Sequence, residues 1–351
     1  MASFKKREYM RILVTGSEGY LGIPLTKVLV EYGHDVVGLD TGYYRPAWFT
    51  NDVKRLPPVM NKDVRKVTTA DLMGFDAVVH LAELSNDPLG QLNQSVTVDV
   101  NHKGTVHLAK TAKRAEVSRF VYFSSCSVYG ASDELLTEES AVNPLTAYAE
   151  CKVLNEKALL ELADEAFTPT ILRNATAFGP SPRMRFDLVI NNLAGLAFTT
   201  KKIKMESDGT PWRPFVHILD IAEAVVHVLR APKELVQGEI LNVGNSNSNY
   251  QIKDIARIVS EVFPDCRITL NPDGVDKRNY RVSFDKIHRI LPGYRSKRDV
   301  KLGIVELKKV FERTHLTHEM FTSRHFNRLK QMSYLKKSGK LTRSLYWRAR
   351  S

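Results

Sequence analysis

Along the first half of the chain, short runs rich in β-branched residues alternate with stretches whose apolar positions recur every three or four residues. The runs at residues 11–16 (RILVTG), 34–40 (HDVVGLD), 77–82 (AVVHLA), 119–125 (RFVYFSS) and 169–173 (PTILR) read as strands. Residues 21–32, 95–115 and 146–163 carry the helical spacing. Strands separated by helices pair in parallel, because the crossover returns the chain to the same end of the sheet, so the pattern predicts an α/β fold with a doubly wound parallel sheet. After Gly179 the rhythm loosens: GPSPRMRFD is loop-like, IAEAVVHVLRA and IKDIARIVSEVF read as helices, and EILNVG as a strand. The expected organisation is a first domain over residues 10–180, with a strand and helix around 213–243 returning to it. A smaller α/β lobe follows over 181–315, then a basic C-terminal tail over 316–351, with a cleft between the two lobes.

Bulk composition narrows the classes. No apolar run approaches the roughly 18 residues of a membrane span, and the apolar segment after the basic N-terminus is too short for a signal-peptide core, so a cytoplasmic protein is expected. Cys126, Cys151 and Cys266 form no C-x-x-C pair and the histidines show no H-E-x-x-H spacing, which predicts free thiols and no metal. The net charge of +12 invites a nucleic-acid reading until it is located. Residues 321–351 hold nine Lys and Arg and no acid, leaving a net of +3 on the rest. Such a tail suits an anionic membrane surface, a nucleic acid or an acidic partner, but equally a solvated terminal helix, and no specific nucleic-acid role is expected.

Within VTGSEGYLG, Gly16, Gly19 and Gly22 follow the first strand and open the first helix, and Asp40 ends the second strand. In that setting Gly16 makes the turn, Gly19 admits a pyrophosphate to the helix N-terminus, and Gly22 lets helix and sheet pack. The Asp40 carboxylate suits ribose hydroxyls and repels a 2′-phosphate, which favours NAD over NADP, although Arg45 stands five residues on. A second pair draws attention in YAECK: Tyr148 and Lys152 are four residues apart and share a helix face. Taken alone, this spacing is also that of an ordinary solvated helix.

The glycine spacing, together with Asp71-Leu72, HLA (80–82), NHKGT (101–105), SSCSVYG (124–130) and YAECK, resembles the extended short-chain dehydrogenase/reductase family, its nucleotide-sugar epimerases and dehydratases in particular. The segment DGTPWRPFVHILDIAEA resembles that family's substrate-lobe segment with its phosphate-binding arginine, here Arg213. The resemblance implies a Rossmann-type sheet with a substrate lobe, an NAD cofactor, a nucleotide-diphosphate sugar substrate and a homodimer. It assigns cofactor contacts to Gly16, Gly19, Tyr20, Leu21, Gly22, Asp40, Asp71, Leu72, Leu81, Ala82, Asn101, Tyr148 and Lys152; for Asn101 a helix-capping role is an equal alternative. Substrate contacts fall on Glu83, Asn174, Thr176, Arg185, Arg213, Arg278 and Arg281. Glu83, where the family usually has a small residue, faces either the sugar or solvent. Thr176 stands at the family's Asn, and Asn174 replaces it only if the strand register shifts.

Oxidising an alcohol requires a base at its hydroxyl, and a free tyrosine with pKa about 10 is too weakly ionised near neutrality. An adjacent ammonium favours the phenolate, so Tyr148 is the expected base and Lys152 its modulator, and the resemblance assigns Ser125 to the family's Ser/Thr that bonds the reacting oxygen. Family 4,6-dehydratases carry Asp and Glu directly after that Ser/Thr, whereas this chain has Cys126 and Ser127. Cys126 is a candidate for proton transfer, with packing as the blander role. The reading is therefore a nucleotide-sugar epimerase acting at C4. The alternatives are a 4-ketoreductase or dehydrogenase, less a 4,6-dehydratase, and least a non-catalytic NAD-binding scaffold.

Overall fold

Burial on both faces dictates the centre of the molecule, because a strand covered by helices on either side gains from apolar residues at every position. The computed structural model describes residues 9–45, 48–50, 56–85, 93–271, 274 and 278–348. Its main sheet holds β1 (Arg11–Thr15), β2 (Asp35–Asp40), β3 (Val59–Asn61), β4 (Ala77–His80), β5 (Arg119–Ser125), β6 (Thr168–Asn174) and β7 (Ile240–Val243). All pair in parallel in the order β7-β6-β5-β4-β1-β2-β3. Every residue of β4 and of β6 is buried. The short edge strand β3, half exposed, had no periodicity by which the sequence could reveal it.

Helices cover both faces. One core packs α1 (Gly22–Glu31) and α5 (Ile218–Arg230) on the sheet through Leu25, Leu29 and Val225. The other packs α2 (Gly104–Arg114) and α3 (Ala147–Leu162) through Leu108, Ala112 and Leu159 against Phe120 and Ile171. The expected helix over 95–115 is interrupted by wide turns at Val98–Lys103, within which Asn101 is buried. Strand order reverses between β2 and β4 on either side of β1, so the loops after β1 and β4 diverge and leave a crevice at their C-terminal ends.

A second core joins α4 (Val189–Thr200), α6 (Ile252–Val262) and α7 (Val300–Arg313) around Phe186, Ile255, Ile304 and Phe311. The basic C-terminal residues depart from the solvated tail expected of them. Phe321 and Phe326 enter this second core, and α8 (Arg328–Lys337) with its following turn buries Met332, Leu335, Leu341 and Leu345 against Tyr43 and Leu84. The charge count hid an apolar face: Lys336, Lys337 and Lys340 point to solvent while every third or fourth residue points inward.

Candidate active site

A cleft of about 720 Å³ opens at the crevice and is walled by both lobes, a size suited to small-molecule ligands. Its floor is the glycine loop. Gly16 sits at φ +71° with its N–H on the Leu39 carbonyl, and a Cβ on Gly22 would lie 2.2 Å from the Gly16 oxygen, so the turn closes only without side chains. Gly19, Tyr20 and Leu21 line the cleft with Gly16 and Gly22. Tyr20 is anchored by donating to the Gly179 carbonyl and accepting from Asn191, and burial lifts its phenol well above the usual range. At the end of β2, the Asp40 carboxylate accepts the N–H groups of Gly42 (2.8 Å) and Glu18 (3.1 Å), and burial raises its pKa. Arg45, the residue that could have favoured a 2′-phosphate, is committed to Glu18 through a two-nitrogen contact at 2.6–3.0 Å.

At the opposite end, Leu81, Ala82, Glu83, Ser125, Tyr148 and Lys152 line the cleft together. Thr146 caps α3, accepting from Ala149, which fixes the first turn from which Tyr148 projects. The Lys152 ammonium lies 5.3 Å from the Tyr148 ring centroid, donates to the Phe123 carbonyl and meets Glu83 Oε2 at 2.5 Å. Burial opposes its charge, yet Glu83, Tyr148 and Glu156 outweigh burial and hold the ammonium above its ordinary pKa. Glu83 lines the cleft with its carboxylate already engaged: its other oxygen accepts from the Tyr122 hydroxyl at 2.8 Å, and its side chain is 2% exposed. Ser125 ends β5 and accepts from the Ser127 N–H, turning the chain so that Ser125 and Ser127 both face the cleft. Cys126, between them, points the other way. It is fully buried, donates to the Arg173 carbonyl at 3.2 Å, and burial pushes its thiol far above the usual range, which fits the packing role.

Other expectations also move. Asp71 closes a capping box with Thr68 and pairs with Lys62 at 2.5 Å, and Leu72 is wholly in the core. Neither lines the cleft; Asp63 and Val64, directly after the unrecognised β3, do. Asn101 stays behind the wall, where its amide accepts from the Leu84 N–H at 2.8 Å and donates to the Leu84 carbonyl, pinning the loop after β4. Asn174 and Thr176 both line the cleft with no change of register, being two residues apart on an extended chain. Arg185 and Arg278 line it as well, Arg185 held by Asp187 at 2.8 Å. Arg213 stands outside the lining, donating to the Trp212 carbonyl with its guanidinium against the Tyr280 ring, and Tyr280 is the cleft residue. Arg281, one position along from Tyr280 in the short strand Asn279–Val282, lies on that strand's other face and donates to the Asp133 carbonyl. Sequence reasoning also missed Tyr44, Asp187 and Arg328, the last of which reaches the cleft from the C-terminal segment.

Residues 12–244 match the sequence model of the NAD dependent epimerase/dehydratase family. The chain is 28% identical over 262 residues to an uncharacterised UDP-glucose epimerase of Bacillus subtilis (strain 168), covering 71% of this chain and 81% of that protein. It is 27% identical to the dTDP-D-glucose 4,6-dehydratase of Bos taurus, covering 86% and 88%. Among solved structures, an NAD-dependent NDP-hexosamine 5,6-dehydratase of tunicamycin biosynthesis superposes with a TM-score of 0.77 at 25% identity, covering 87% of this chain and 98% of that one.

Proposed function

Because the chain belongs to the NAD-dependent epimerase/dehydratase family, we propose that it is a nucleotide-sugar 4-epimerase working through Tyr148, Lys152 and Ser125. One observation carries the choice among the family's reactions. Eliminating water needs an acid at the departing hydroxyl and a base at the neighbouring carbon, and both positions after Ser125 lack a carboxylate. Among the described residues, the acids that line the cleft are otherwise engaged: Glu83 on Lys152, Asp187 on Arg185, Asp63 on Arg65, and Asp40 on two backbone N–H groups.

The glycine loop and Asp40 would hold the NAD, which would supply a reversible hydride acceptor for the sugar C4 carbon. Tyr148 takes the C4 hydroxyl proton and gives it back, and Ser125 hydrogen-bonds the same oxygen. Lys152 favours the phenolate by its charge. Asn174, Thr176 and Arg278 would grip the diphosphate end, leaving the sugar free to present its other face.

The test follows the hydride. With a panel of UDP- and dTDP-sugars deuterated at C4, the epimerised product should keep its deuterium while bound NAD is unchanged after many turnovers. Deuterium lost to solvent, accumulation of free NADH, or a product lighter by one water would each overturn the assignment.

A further inference from the structure

Arg328 is 4% exposed, lines the cleft and lays its guanidinium 3.8 Å over the Tyr44 ring. No carboxylate among the described residues comes within ion-pair distance of it. Its cationic neighbours differ: Arg45 is taken by Glu18, Arg185 by Asp187, and Arg183 by the carbonyls of Glu18, Tyr44 and Arg45. A buried guanidinium over an aromatic face that feels Asp187 and Asp40 only from beyond ion-pair distance is an expensive arrangement unless an anion completes it. Its planar fork of donors matches phosphate oxygens.

The surrounding contacts show that this placement is built. Asn327 caps α8 by accepting from Lys330, which fixes where Arg328 projects. One turn on, Gln331 donates to the Tyr43 carbonyl at 2.8 Å; Tyr43 donates to the Leu345 carbonyl, and Trp347 donates to the Thr41 carbonyl at 2.6 Å. The loop that follows Asp40 is thus strapped to the C-terminal segment. Arg328 shares its electrostatic surroundings with Asp40 and Arg183, and Arg183 bonds the carbonyl of Glu18 inside the glycine loop. Arg328 also feels Arg185 and Asp187, so it stands where the two halves of the cleft meet, and the Gln331 bond to the Tyr43 carbonyl sets its helix beside the loop that follows Asp40.

We propose that Arg328 is a ligand for the dinucleotide's pyrophosphate, delivered by a C-terminal segment that clasps the loop beside Asp40. Burial already lowers the pKa of the guanidinium, and a bound phosphate would reverse that. The clasp also explains a basic segment with an apolar inner face: it closes the cofactor half of the cleft, so NAD stays through successive turnovers.

Full-length Arg328→Gln and Arg328→Lys are to be titrated calorimetrically with NAD, ADP, NADP and UDP, and by ligand-detected NMR with adenosine, after stripping resident nucleotide. The expected result for Arg328→Gln is NAD and ADP weakened about tenfold or more, adenosine unchanged, and UDP unchanged on the NAD-loaded protein. Arg328→Lys, which keeps the charge and loses the fork, should fall between. If Arg328→Gln does not fold, the same contrast between ADP and adenosine is read on Arg328→Lys. Equal loss of adenosine and ADP means that Arg328 only packs the loop. Loss confined to UDP assigns it to the substrate, and loss confined to NADP assigns it to a 2′-phosphate. Each of these, like unchanged NAD affinity, overturns the proposal. None depends on turnover, so the epimerase reading stands or falls separately.

Discussion

The Glu83 carboxylate lies 2.5 Å from the Lys152 ammonium, with both side chains almost wholly buried. A carboxylate there partly cancels the cation that Tyr148 experiences, and it also keeps that cation protonated in a buried setting. In Glu83→Gln the two effects separate. Tyr148 should ionise more readily and Lys152 should lose its proton more readily, so both limbs of the pH profile of kcat/KM should move to lower pH, by about one unit or more. A folded Glu83→Gln enzyme with an unmoved profile would show that the pair is merely structural.

Tyr148→Phe removes the hydroxyl and keeps the ring over which Lys152 sits. Turnover should fall by about 10² to 10⁴ while NAD binding, measured calorimetrically, stays near that of the unmodified protein. Turnover near the original rate would remove Tyr148 from its role.

The C-terminal segment should behave as part of the fold. The Phe326 ring lies 5.4 Å from the Phe49 centroid and 5.8 Å from Phe186 and is 5% exposed. Phe326→Ala should therefore lower the unfolding free energy by about 3–5 kcal/mol, read as a reduced urea midpoint. A change below 1 kcal/mol would return the segment to the status of an appendage.

Acid should destabilise the protein through His80. The imidazole bridges Thr15 and Thr105 at 2.7 and 2.8 Å, and burial, with Lys152 adding to it, lowers its pKa to about 3. Because Thr105 donates its own hydrogen to the Asn101 carbonyl, Nε2 is the ring nitrogen that carries the proton. As pH falls below 6.5 the unfolded chain takes up a proton that the folded chain refuses, so stability is lost between pH 6.5 and about 3. The slope is about 1.4 kcal/mol per pH unit. Urea midpoints at pH 7.5 and 5.5 should differ less in His80→Gln than in the unmodified protein; an equal difference would place the acid sensitivity elsewhere.

The sequence by itself determined whatever depends on neighbours along the chain. Backbone freedom at Gly16 and Gly22 is a local demand, as are burial of every residue in β4 and the one-turn spacing of Tyr148 and Lys152, and each left a readable pattern. Asp40 followed from the same logic, since the end of β2 must lie beside the glycine loop once β1 and β2 are parallel. Tertiary structure decided where pattern and position part company. Asp71-Leu72 satisfied the motif, but only the pairing of β3 with β2 brings Asp63 and Val64 to the cleft instead. Cys126 and Ser127 are adjacent in sequence and face opposite ways because Ser125 turns the chain. Glu83 meets Lys152, 69 positions away, because β4 and β5 are neighbours and α3 lies across them. Arg328 could be seen only as one positive charge among nine until the apolar face of α8 found Tyr43 and Leu84. Periodicity records what a residue needs from its own element, whereas the partner across the cleft is chosen by packing between elements far apart in sequence.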